Sequence, residues 1–117
     1  MVSRAVTSKE FKRALSLLGR PTTGQRKFLQ AHYRATARIT TMRKLAHAAG
    51  YKRYGGVNLQ YGGLARRIAH ILNRPLPRIR VSLLVEFIQP EEVSNRHYLL
   101  RMRPAFSAAL RSAGWVR

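Results

Sequence analysis

From Val57 onward the apolar side chains recur at Tyr61, Leu64, Ile68, Ile71 and Leu72. Steps of four, three, four and three put these residues on one face of a continuous helix. Asn73 and Pro75 then stop that helix at about residue 72. A helix with one apolar face is stable only where other elements cover it. The chain supplies such elements on both sides.

Upstream, Thr7 and Glu10 have capping-box spacing ahead of Phe11, Leu15 and Leu18. Gly19 and Pro21 close this first helix, about 8–18. Thr22 and Gln25 repeat the box, and a second helix follows at about 23–36, with Phe28, Leu29, His32 and Tyr33 towards the core. In TTMRKLAHAAG, Thr40 or Thr41 caps a third helix. Met42, Leu45, Ala46 and Ala49 face inward there, and Gly50 supplies a left-handed stop. Downstream, RIRVSLLVEFI (78–88) reads as a strand, QPEEVSN as a turn and RHYLLRM (96–102) as a second strand. Pro104 opens a short last helix, which Gly114 stops. The expected fold is α+β and mainly helical: one domain of helices with a β-hairpin and a C-terminal helix. Helix, glycine turn, helix and hairpin together outline a winged helix-turn-helix.

Charge narrows the function. Lys and Arg total 23 against four glutamates and no aspartate, for a formal net charge of +19. A folded domain this basic repels itself unless a polyanion neutralises it. Nucleic acid is the leading partner and an anionic membrane the second. No apolar run is long enough to span a membrane, and MVSRAVTSKEFKR lacks the apolar core of a signal peptide. A soluble protein of the cytoplasm or nucleoid is expected. Arginine dominates the excess, which suits bidentate phosphate and guanine contacts, although GC-rich coding would also raise it.

The stretch GYKRYGGVNLQYGG (50–63) holds five of the eight glycines. Placing YKRYGG before the helix makes its turn longer than the tight helix-turn-helix form. Around the helix, Leu59, Gly62, Gly63, Arg66 and His70 fall opposite the apolar face, with Asn58 and Gln60 on the flanks. In a major groove Asn58 and Gln60 would suit adenine edges, Arg66 guanine or phosphate, and Leu59 a thymine methyl. Lys52, Arg53 and Tyr54 would hold phosphates. Arg43, Lys44 and Arg67 extend this basic set. The hairpin carries Arg78, Arg80, Arg96, Arg101 and Arg103, some of which must face away from any ligand. The bland alternative is that Gly62 and Gly63 admit a neighbouring helix and the amides are merely solvated.

Other chemistries are disfavoured. GYKRYGG is neither a dinucleotide fingerprint nor a P-loop. With no cysteine there is no disulfide or thiolate zinc site. His32, His47, His70 and His97 are scattered, and His32 and His47 read as partly buried helix residues. Without aspartate, a metal-dependent nuclease centre lacks its usual oxygen ligands. Neither an enzyme nor a cofactor is expected.

The runs ITTMRKLAHAAGYKRYGGVNLQYGGLARRI, QRKFLQAHYRA and RMRPAFSAALRSAGWV, with Asn58–Gly62 the most specific part, resemble a module near the N-termini of some bacterial HNH endonucleases. The resemblance covers about residues 22–116. It implies a DNA-targeting accessory module standing alone, since the chain has no room for the HNH centre. The expected function is therefore a double-stranded DNA-binding module, either targeting or regulatory. Two alternatives are an inhibitor of a restriction or CRISPR nuclease and a structural protein of a ribonucleoprotein complex.

Overall fold

The apolar face that begins at Val57 lies at the centre of the molecule: Val57, Tyr61, Leu64, Ala65 and Ile68 each expose 1% or less of their surface. The computed structural model describes residues 4–88 and 99–117. The described residues form α1 (Ser8–Leu18), α2 (Thr23–Arg34), β1 (Ile39–Thr40), α3 (Met42–Ala49), α4 (Tyr54–Ile71), β2 (Val85–Ile88), β3 (Leu99–Met102) and α5 (Pro104–Ser112). The fold is mainly helical α+β, as expected. One continuous core draws on all five helices, joined by Val81, Leu84, Val85, Leu100 and Met102.

Local chemistry sets the helix starts. The Thr7 and Thr22 hydroxyls accept the backbone N–H of Glu10 and Gln25 at 3.2 and 3.1 Å. Glu10 and Gln25 in turn accept the backbone N–H of Thr7 and Thr22. Both capping boxes therefore form. Thr41 caps α3 by accepting the Lys44 N–H at 3.2 Å. Aromatic contacts then tie the helices together. Phe11 of α1 meets Phe106 of α5 edge-on at 5.3 Å, and Phe28 of α2 meets Tyr61 of α4 at 5.0 Å.

A buried polar relay crosses this core. His32 of α2 is fully buried. Its Nε2 lies 3.0 Å from the Leu100 carbonyl of β3, and its Nδ1 lies 3.0 Å from the Tyr61 hydroxyl of α4. A carbonyl can only accept, so Nε2 carries the proton and Nδ1 accepts from Tyr61. Burial holds His32 below the ordinary histidine range and raises the Tyr61 phenol. The relay keeps both groups neutral and joins two helices to the sheet.

Among the described residues the sheet has three strands in the order β1-β3-β2, both pairs antiparallel. Ile39 and Thr40 pair with Arg101 and Leu100. Val85, Glu86, Phe87 and Ile88 pair with Met102, Arg101, Leu100 and Leu99. The element β1 has no counterpart in the sequence reading. The second helix also ends at Arg34 rather than near 36. There Ala37 and Arg38 take positive φ, 54° and 61°. That turn brings Arg38 back, so its guanidinium donates to the Tyr33 carbonyl and lies over the Tyr33 ring. It also releases Ile39 and Thr40 to extend along β3.

The span 78–88 is not one strand. Arg80–Leu83 form a short 3-10 turn, and only Val85–Ile88 are extended. The Ser82 N–H and hydroxyl both bond to the Ile79 carbonyl, at 2.9 and 2.6 Å. This turn buries Val81 and Leu84, three residues apart, which an alternating strand would send to opposite faces. The predicted turn QPEEVSN, and Arg96 and His97 in the predicted second strand, lie outside the described residues.

Candidate nucleic-acid interface

The candidate surface consists of α3, the turn after it and the outer face of α4. Gly50, at φ +79°, ends α3. Its N–H donates to the His47 carbonyl at 3.2 Å, and the Tyr51 N–H donates to the Ala46 carbonyl at 2.9 Å. These two bonds form a Schellman close. Helix α4 then starts at Tyr54, with Arg53 at its N-cap position. The turn is therefore short. Tyr54, Gly55 and Gly56 are already helical, contrary to the extended turn expected from sequence.

Tyr51 sets the geometry of this turn. A Cβ added at Gly24 would lie 2.7 Å from the Tyr51 hydroxyl, and one at Gly56 would lie 2.9 Å from its Cδ1. The ring is held between the first turns of α2 and α4: at Gly56 the body of the ring crowds a Cβ, whereas at Gly24 only the hydroxyl tip is close. By contrast Gly63 has nothing within 4 Å of an added Cβ. Two glycines of one helix thus have opposite expectations. Gly56→Ala should destabilise by about 1–3 kcal/mol through overpacking against a rigid ring. Gly63→Ala should stabilise by up to about 1 kcal/mol through helix propensity. Urea unfolding of the two variants checks both signs.

Beside Tyr51 a groove of about 620 Å³ is lined by Arg43, His47, Tyr51, Lys52, Arg53 and Tyr54. Four predicted site residues, Arg43, Lys52, Arg53 and Tyr54, therefore share one surface. Lys44 is exposed on the same helix. His47 is exposed rather than partly buried, and it joins the groove wall.

The other side of α4 is bounded by the 3-10 turn. Gly62 is buried, and a Cβ there would sit 3.6 Å from Arg80 Cβ. Gly62 is thus not part of a bare outer patch; it admits the 3-10 turn that carries Arg80, whereas Gly63 stays open. At 100° per residue, Gly62 against Arg80 and Gly56 against Tyr51 are about 120° apart around α4. Gly55, Leu59, Gly63, Arg66 and His70 fall in the gap between them. Arg66, Arg67, Asn58 and Gln60 are all exposed. Asn58 and Gln60 stand about 160° apart around the helix, Asn58 towards Arg80 and Gln60 towards the Tyr51 turn. They flank the stripe and do not share a face.

Arg78 and Arg80 are exposed but precede β2, so neither lies on the hairpin strands, and Arg80 stands beside Gly62 of α4. The other described arginines of the expected hairpin, Arg101 and Arg103, are engaged elsewhere. Arg101 pairs with Glu86 across the sheet at 3.1 Å. Arg103 donates to the Ser82 carbonyl at 2.8 and 3.1 Å and reaches Glu86 at 3.9 Å. The other described carboxylate, Glu10, takes Arg74 on both oxygens at 3.1 Å. The Thr7 backbone N–H and Arg74 hold it below the ordinary carboxyl range.

No carboxylate side chain occurs between Glu10 and Glu86 in the sequence. Among the described residues, none of Arg43, Lys44, Lys52, Arg53, Arg66, Arg67, Arg78 or Arg80 has an ion-pair partner. Also among the described residues, no three histidines or carboxylates gather into a metal site, and no helix is long and apolar enough to cross a membrane.

Sequence reasoning missed the role of Tyr51 and placed Arg80 on the hairpin rather than beside α4. Tyr51 had a usable signal, since it directly follows a glycine helix stop, where an apolar residue often packs back on the helix end. Arg80 had none, because its position depends on the turn that interrupts the apparent strand. Compared with known proteins, the chain matches no family model, no curated protein and no solved structure.

Proposed function

We propose that the chain binds double-stranded DNA, with α4 as the reading helix and the α3–α4 turn as its phosphate anchor. One observation carries this reading. The cations around α4 have no carboxylate partner among the described residues, whereas both described glutamates are bound to arginines elsewhere. Unpaired cations gathered on one surface repel each other, and phosphates relieve that repulsion.

The shape of the surface supports the same partner. Between the Tyr51 turn and Arg80, α4 offers a narrow stripe, and the B-form major groove admits one helix. Lys52 and Arg53 on one side and Arg80 on the other would meet phosphates, with Arg78 two residues before Arg80 in the chain. Gly55 and Gly63 have open space around them. An exposed helical glycine costs about 1 kcal/mol relative to alanine, and it leaves the backbone bare for close approach. The hairpin strands that follow α4 in the chain would make this a winged-helix arrangement. The sequence resemblance to endonuclease-associated modules is consistent with a targeting or regulatory role without a cutting centre.

Matched duplexes of DNA and RNA, titrated in parallel, test this reading. A-form RNA has a deep, narrow major groove that a helix cannot enter. Tighter binding to DNA is expected, and equal or tighter binding to RNA would overturn it.

A further inference from the structure

We infer that Leu59 is a specificity-determining residue that contacts the C5-methyl group of a thymine in the major groove. The inference rests on the DNA-binding reading above and gives it a chemical preference. Leu59 exposes 70% of its surface, more than any other large hydrophobic residue described. It lies near the middle of the gap on α4 that Arg80 bounds on one side and Tyr51 on the other. Gly55 and Gly63 stand one turn before and one turn after it, and neither has an atom within 4 Å of an added Cβ. Leu59 is therefore the side chain that projects from an otherwise bare part of the stripe, with Arg66 beyond it.

Its charged surroundings argue against an uncharged apolar partner. Arg53 at the N-cap of α4 and Arg66 and Arg67 along it are exposed, and no carboxylate side chain occurs anywhere in α2, α3 or α4. A partner that meets Leu59 must also neutralise these cations, which selects a polyanion. Among the groups a duplex displays in its major groove, the apolar one is the C5-methyl of thymine. A leucine carried between two glycines can reach that methyl without another side chain holding the backbone away.

The test replaces every thymine with uracil in an AT-rich duplex, which removes the methyl groups and leaves the hydrogen-bonding edges intact. Wild-type protein and Leu59→Ala are titrated against both duplexes at one salt concentration. Wild type should bind the uracil duplex about fourfold more weakly for each methyl contacted, the ratio that corresponds to about 0.8 kcal/mol per buried methyl-sized group. Leu59→Ala should bind both duplexes equally. If wild type binds both equally and tightly, the inference fails and the DNA-binding reading stands. If Leu59→Ala keeps the wild-type preference, the methyl is read elsewhere and the inference fails. Absence of duplex binding would overturn both.

Discussion

Tyr61→Ala should lower the stability of the fold by about 3–5 kcal/mol, the range for truncating a large buried aromatic residue. That is a large part of the roughly 5–15 kcal/mol that holds a domain folded. The ring packs on Phe28, and the hydroxyl donates to His32 in the centre of the molecule. Tyr61→Phe separates the two roles. It keeps the ring but leaves the His32 Nδ1 without its donor, which should cost about 1–3 kcal/mol. Urea unfolding of both variants at neutral pH measures the difference.

The same relay gives stability a defined pH dependence. Burial holds folded His32 below the ordinary value of 6.5 that applies in the unfolded chain. Below that value the unfolded state binds more protons than the folded one, so stability falls as the pH drops. The histidine contribution is complete above about pH 6.5 and declines below it. Glu10 acts in a lower window, since its carboxyl lies below 4.5 when folded. His32→Gln should remove the upper part of the acid destabilisation and leave the lower part.

Replacing Lys52, Arg53, Arg66 and Arg67 together by alanine should weaken duplex DNA binding on the order of a thousandfold at about 0.1 M salt. Each phosphate contact contributes about 0.9 to the logarithmic salt slope, or about eightfold between 0.1 and 1 M salt. All four side chains are exposed and have no ion-pair partner among the described residues. Surface changes of this kind usually alter stability by less than about 0.5 kcal/mol per site, so the loss should appear in binding and not in folding. A matched control removes Lys9, Lys12, Arg13 and Arg20, which are also exposed but belong to α1 and its end. The control should lose far less affinity. Equal losses would mean that total charge matters and the α4 surface does not.

Much of the architecture was legible in the sequence because local signals decided it. Thr7, Thr22 and Thr41 start helices where their spacing placed them, Gly50 stops one, and the steps from Val57 mark the buried face of α4. The misreadings arose where tertiary contacts outweigh local pattern. Ile79 and Val81 read as strand residues, but burying Val81 and Leu84 together requires a turn. Arg101 and Arg103 looked available to a ligand until the sheet register placed Glu86 beside Arg101. Gly62 looked outward because helical projection alone cannot show which neighbour packs against that side. The candidate site follows the same division. Its residue types were readable, but the shared groove and the position of Arg80 depend on the fold around them.

The most direct test is the slope of log K against log salt for a short DNA duplex, measured for wild type and for the fourfold alanine variant. The wild-type slope should be strongly negative, and the variant's should be shallower by about 3.6, four contacts at about 0.9 each. A flat wild-type slope, or the same slope in both proteins, would contradict a DNA-binding surface centred on α4.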